Sequence, residues 1–162
     1  MLWGWSQQLR DLGTNGYYHA GEKTIELTPT ISSKNFIGKG SHTFGFSIEY
    51  EYWLTAATGA GVEMGTYDIR SNPNGIDHIA IMSDYRLIQF PNSFLLNKFA
   101  IVAKTGAETY FIDGTKDFEI GLGINYNLFV KRMRCEVSYI QHIRTDPNKD
   151  GGTLRAGMQI LF

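Results

Sequence analysis

Three groups of residues in this sequence could do chemistry. His142 stands near the end of a polar–apolar alternation, two residues before Arg144. An imidazole there could serve as a general acid or base, or could be a plain polar histidine at a rim. Asp146, Asn148, Asp150 and Gly151 follow with the spacing of the first half of a calcium loop, with Gly where that loop turns sharply. The place of the bidentate Glu is taken by Gly157, so the loop is incomplete, and a polar hairpin closed by Asp150-Gly151 explains the same residues. The third group is a set of charges: Glu49, Glu51, Glu63, Asp84, Glu119 and Glu136 against Arg86, Lys104, Arg132, Arg134 and Arg155. All fall on the polar side of alternating stretches. Near-equal numbers of each sign suit an enclosed network, because buried charges must be paired. His19, His42 and His78 are scattered and lack metal-ligand spacing. No phosphate-binding loop, nucleophile elbow or dinucleotide fingerprint is present, so no cofactor is expected. The net charge of −1 gives no reason to expect a nucleic-acid partner.

The elements that position these residues repeat with a period of two. From His42 to Leu54, Phe44, Phe46, Ile48, Tyr50 and Tyr52 alternate with Thr43, Gly45, Ser47, Glu49 and Glu51. Asp117–Leu128 and Thr153–Phe162 repeat the scheme. Weaker copies lie at Thr24–Ser32, Thr58–Ile69, His78–Gln89, Lys98–Ala107 and Met133–Ile143. Pro29 inside the first of these suggests a bulge or a strand end. About eight segments of about ten residues predict spanning β-strands. Turn-rich links carrying Asn74-Gly75, Asp113-Gly114 and Asp150-Gly151 alternate with short ones. Residues 1–21 differ. Leu2, Trp5, Leu9 and Leu12 recur at helical spacing, which suits either a short amphipathic helix on a membrane surface or an unordered terminus. The chain therefore divides into residues 1–21 and a barrel over 22–162.

The choice between a membrane barrel and a soluble ligand-binding barrel rests on the two strand faces. No apolar run is long enough for a spanning helix. The polar face is rich in small residues such as Gly59, Gly61, Gly65, Gly121 and Gly123, as a narrow eight-strand lumen requires. Charged residues are only 19% of the chain and aromatics 14%, which suits an outer face not in water. Tyr52, Phe90, Phe99, Tyr126 and Phe129 fall near the rim that holds Phe162. Phe44, Tyr67, Tyr110 and Phe118 fall near the other. Two aromatic girdles around an aliphatic band are a membrane feature. The expected fold is thus all-β: a closed antiparallel transmembrane β-barrel of about eight strands.

Gly121-Leu-Gly-Ile-Asn-Tyr126, Glu136-Val-Ser-Tyr139 and the closing Leu154-Arg-Ala-Gly-Met-Gln-Ile-Leu-Phe162 carry a resemblance. Over about residues 22–162 the chain resembles the small outer-membrane barrels of the OmpA-membrane-domain and OmpX type. The resemblance implies a bacterial outer-membrane location and a lipid and lipopolysaccharide surround. It also implies recognition of the alternating C-terminal strand by the barrel-insertion machinery. Paired lumen charges would correspond to groups such as Glu63, Lys104, Arg134 and Glu136. The N-terminus has neither the basic nor the apolar region of a signal peptide, so the export signal is expected to be absent from this chain. Lipid A deacylases of the PagL type are eight-stranded barrels with a His-x-Ser pair and a Glu on the next strand. Here His142 is followed by Ile143 and Arg144, and Thr153–Phe162 holds no acid. Acyltransferase barrels of the PagP type begin with an amphipathic helix but need an apolar upper lumen, which the charges oppose. The expected role is structural or interactive: a filled barrel that meets envelope partners through loops such as Lys34–Ser41 and Arg70–Asp77. A lipid A-modifying enzyme is the alternative.

Overall fold

A computed structural model describes residues 20–32, 42–70, 75–89, 99–111, 114–128, 133–144 and 151–162. Eight strands follow one another: β1 (Lys23–Ser32), β2 (Thr43–Trp53), β3 (Thr58–Thr66), β4 (His78–Gln89), β5 (Phe99–Tyr110), β6 (Lys116–Asn127), β7 (Met133–Arg144) and β8 (Gly151–Leu161). Each pairs antiparallel with its sequence neighbours, and β8 closes onto β1. Closure leaves no free sheet edge, the condition for a β-structure to sit in hydrocarbon.

The alternation in the sequence becomes two opposite surfaces. β1 and β2 change face at every residue, apolar side chains outward and polar ones inward. Ile81 is 68% exposed and Leu122 59%, whereas Glu63, Glu119 and His142 are wholly buried. A water-soluble barrel would have these faces reversed. Apolar outside and charged inside is the inversion a lipid solvent demands.

Pro29 neither ends nor bulges β1. Its pairing with β2 is unbroken, from Thr28↔Ser47 through Pro29↔Phe46 to Thr30↔Gly45. On the β8 side the ladder has pairs at Leu27↔Met158 and Thr30↔Arg155 and skips Thr28 and Pro29, with the register unchanged. A missing proline N–H can remove a ladder bond without inserting a residue. The register irregularity lies elsewhere, between Arg86 and Ile88 on β4.

Two strand ends differ most from expectation, and β8 begins at Gly151, two residues before Thr153. β3 stops at Thr66, short of Ile69, where Asp77 draws the chain aside: its Oδ2 accepts from Thr66 Oγ1 at 2.7 Å and from the Tyr67 N–H at 3.0 Å. β5 runs on to Tyr110, past Ala107, and so carries Glu108 into the barrel. Its turn is closed by Gly114, which has φ +69° and donates its N–H to Tyr110 O at 3.0 Å. The expected helix within residues 1–21, the Lys34–Ser41 loop, Phe90, Phe129, Arg132 and the Asp146–Asn148–Asp150 segment lie outside the described residues.

Candidate functional site

The candidate site is the lumen, and strand parity builds it. β4 faces Ile79 and Ile81 outward, so His78, Asp84 and Arg86 must face inward. β7 faces Val137 and Tyr139 outward, so Arg134, Glu136 and His142 face inward. Glycines make the room. Gly157 lies opposite Glu136 on β7, and a Cβ there would run into the carboxyl of Glu26 on β1. Gly121 lies opposite Lys104 in the same way.

The interior polar groups form three levels. At the end from which β1 and β3 lead onward to β2 and β4, the Arg155 guanidinium donates through both terminal nitrogens to the Glu63 carboxylate, one bond being 2.8 Å. His78 lies between Asp77 Oδ1, 2.7 Å from Nδ1, and Glu63 Oε1, 3.3 Å from Nε2. The Tyr67 ring stacks on His78 at 4.1 Å and meets His142 edge-on at 5.6 Å. His142 Nδ1 faces Glu119 Oε1 at 3.1 Å and Glu108 Oε2 at 3.4 Å. The Tyr110 hydroxyl donates to Glu108 Oε2 at 2.7 Å. Arg144 donates to Asp117 at 2.8 Å and lies over the Tyr110 ring.

In the middle, Lys104 Nζ is 2.7 Å from Asp84, 3.1 Å from Glu136 and 3.7 Å from Glu49. Gln159 Nε2 donates to Glu26 at 2.8 Å and to Glu136 at 3.1 Å. At the far end, Arg134 donates to Glu22 and Asn127, each at 2.9 Å. Trp53 Nε1 and Thr24 Oγ1 both donate to Glu51. Each level has at least one cation paired with a carboxylate, which offsets part of the cost of burying charge.

The structure thus places Glu49, Glu51, Glu63, Asp84, Arg86, Lys104, Glu119, Arg134, Glu136 and Arg155 on the inner surface. It corrects three expectations about the site. Tyr67 is no girdle residue. It is 2% exposed, because it continues the inward parity of Glu63 and Gly65 past the strand end. Tyr110 faces inward likewise. Interior charge is not balanced: among the described residues, buried Asp and Glu outnumber buried Lys and Arg by more than two to one. Glu26, Glu108 and Asp117 account for much of the difference. His142 stands near a strand end as expected, in the last β7–β8 register pair, but its side chain is wholly buried and not an exposed rim group. Outside, Phe44, Tyr52, Phe118 and Phe162 are exposed, and the Phe99 and Tyr126 rings, paired in register, meet at 4.8 Å. His78 was passed over because no linear spacing links residues that meet only across a closed sheet, and Glu108 because it follows Ala107 in a turn-like stretch. Parity alone would have turned both inward.

No protein-family description and no curated protein matches the sequence. Solved structures do. The N-terminal β-barrel domain of Pseudomonas aeruginosa OprF superposes with TM-score 0.65 at 13% identity, over 90% of this chain and 100% of that one. The fold is that of the small outer-membrane β-barrels. A de novo designed transmembrane β-barrel matches equally, TM-score 0.65 at 14% identity over 90% and 99% of the two chains. Yersinia pestis Ail in a phospholipid bilayer nanodisc gives 0.54 at 14% identity over 88% and 99%. At such identity, in small outer-membrane β-barrels as elsewhere, what is shared is the path of the backbone.

Proposed function

We propose that this chain is a bacterial outer-membrane barrel with a structural or interaction role in the cell envelope. The filled lumen braces the wall, and the loops joining the strands meet the partner. The observation that carries this reading is the interior network, with Arg155 and Lys104 tied to acids on other strands and Arg134 to Glu22 just before β1. A lumen bridged by polar contacts at three levels suits a rigid support, and an eight-strand barrel is too narrow for a wide channel. The outer apolar belt and its aromatic rims fit contact with lipid and lipopolysaccharide. The alternating last strand, ending in Phe162, fits recognition by the barrel-insertion machinery. An envelope protein is the partner the loops would take.

The enzymatic alternative places His142 as an acid or base acting on lipid A. Its ring is wholly buried among Glu108, Glu119 and Thr153, where an acyl ester in the surrounding lipid does not reach it. Two measurements on the barrel in liposomes test the proposal together. Conductance is expected to be absent or small, and lipid A is expected to keep its mass on incubation. A large, steady, solute-selective conductance would overturn the filled-lumen role. A lipid A mass change lost in His142→Ala would establish the enzyme instead.

A further inference from the structure

We propose that Glu108, Glu119 and His142 form a binding site for a divalent metal of the zinc type, inside the barrel near its β7–β8 connection. The side chains come from β5, β6 and β7, and Glu119 and His142 are direct register partners. Their donor atoms all lie within 4.8 Å of one another. His142 Nδ1 is 3.1 Å from Glu119 Oε1 and 3.4 Å from Glu108 Oε2. Ligands about 2.1 Å from a tetrahedral zinc stand about 3.4 Å apart, so these separations match edges of such a site.

The other ring nitrogen supports the same assignment. His142 Nε2 is 2.9 Å from Thr153 Oγ1, which is 3.0 Å from Ser32 Oγ. An Nε2–H donated to Thr153 leaves the Nδ1 lone pair directed at two carboxylate oxygens. Metal-binding histidines are oriented by such outer partners. If the ring is neutral with its proton on Nε2, the Nδ1 lone pair faces two buried carboxylates, which is repulsive unless a cation lies between them.

A separate observation points to that cation. Glu119 Oε2 is buried and has no hydrogen-bond partner among the described residues, while Glu108 Oε1 has His78 Nε2 beside it at 3.6 Å. Unmatched buried carboxylate oxygens are costly. Arg155, committed to Glu63, comes only within 3.9 Å of Glu119 Oε1. The other acidic group in the lumen, Glu49 with Glu51 and Asp84, already has the Lys104 ammonium beside it. One imidazole with two carboxylates is a donor set suited to zinc, whereas calcium and magnesium favour oxygen alone.

The test uses the full chain folded in detergent, stripped with chelator and titrated with Zn²⁺ by calorimetry and with Co²⁺ by visible absorption. One zinc per barrel and the absorption bands of tetrahedral cobalt are expected. Thr153→Val should weaken zinc about 10- to 100-fold, as loss of an outer partner does, and Glu119→Gln by at least as much. Glu49→Gln should leave binding unchanged. Glu119→Gln is nearly isosteric, so it serves if His142→Ala does not fold, and a gel-mobility difference between unheated and heated samples checks each variant. Three results would overturn the site: no zinc binding by the folded native chain, equal binding by Glu119→Gln, or ¹⁵N shifts showing both His142 nitrogens protonated with zinc present. The last would make the group a buried imidazolium between two carboxylates.

Discussion

Arg155 on β8 and Glu63 on β3 grip each other across the lumen through paired guanidinium–carboxylate bonds, although β1 and β2 separate their strands in the wall. The pair is a transverse strut, and the same carboxylate also receives His78. Glu63→Gln removes the charge and leaves the guanidinium uncompensated. Loss of one partner of a buried pair costs about 3–5 kcal/mol. The urea midpoint of unfolding in vesicles should therefore fall. Arg155→Met with Glu63→Met should recover much of the loss, since both charges leave together. A Glu63→Gln variant as stable as the parent would remove the strut from the account.

Lys104 is the counterpart in the middle of the barrel. With Asp84, Glu136 and Glu49 gathered around one ammonium, Lys104→Met should be more damaging than Asp84→Asn. The first leaves three acids facing one another, whereas the second leaves the cation two partners. Adding Asp84→Asn to Lys104→Met should restore part of the stability. Equal effects of the two single changes would contradict this.

Gly157 is set by space. A Cβ there meets the Glu26 carboxyl and comes within 2.8 Å of Thr28 Oγ1. Gly157→Ala should destabilise the barrel by about 1–3 kcal/mol, the usual cost of overpacking. Combining it with Glu26→Ala should relieve most of that. Denaturant titration of the three variants reads out the coupling, and strict additivity would argue against the contact.

The outer belt has its own signature. Leu122 lies midway along β6 and is exposed, while Phe118 lies near the strand's start. Leu122→Arg should cost about 2–4 kcal/mol in a bilayer, and Phe118→Arg clearly less, because the penalty falls toward the interface. Similar costs at the two depths would not fit a membrane-spanning belt.

Much of the wall was legible because each strand had a two-residue period that only one facing could satisfy. Phe44 to Tyr52 is such a run, and β2 follows it. What the sequence hid was the meeting of residues across the lumen. His142 and Glu119 are far apart in the chain and become neighbours only once β6 and β7 are in register. Glu108 was hidden for another reason. The polar stretch after Ala107 resembles turn, yet Glu108 and Tyr110 keep the inward parity to the strand end. Tyr67 was misplaced because an aromatic near a strand end suits either a girdle or a lumen cap. The parity of Glu63 and Gly65 decides for the lumen, and the stack on His78 holds the ring there. The charge imbalance followed from the same omissions, since the missed interior residues are mainly acids.

The central claim is that this chain turns charge inward and an apolar belt outward to lipid. Folding it from urea into phospholipid vesicles, washing with alkaline carbonate and comparing unheated with heated samples on a gel tests this most directly. A wash-resistant, vesicle-bound species that migrates differently when unheated is the expected result. A folded species that stays soluble without lipid or detergent, with the same mobility before and after heating, would contradict it.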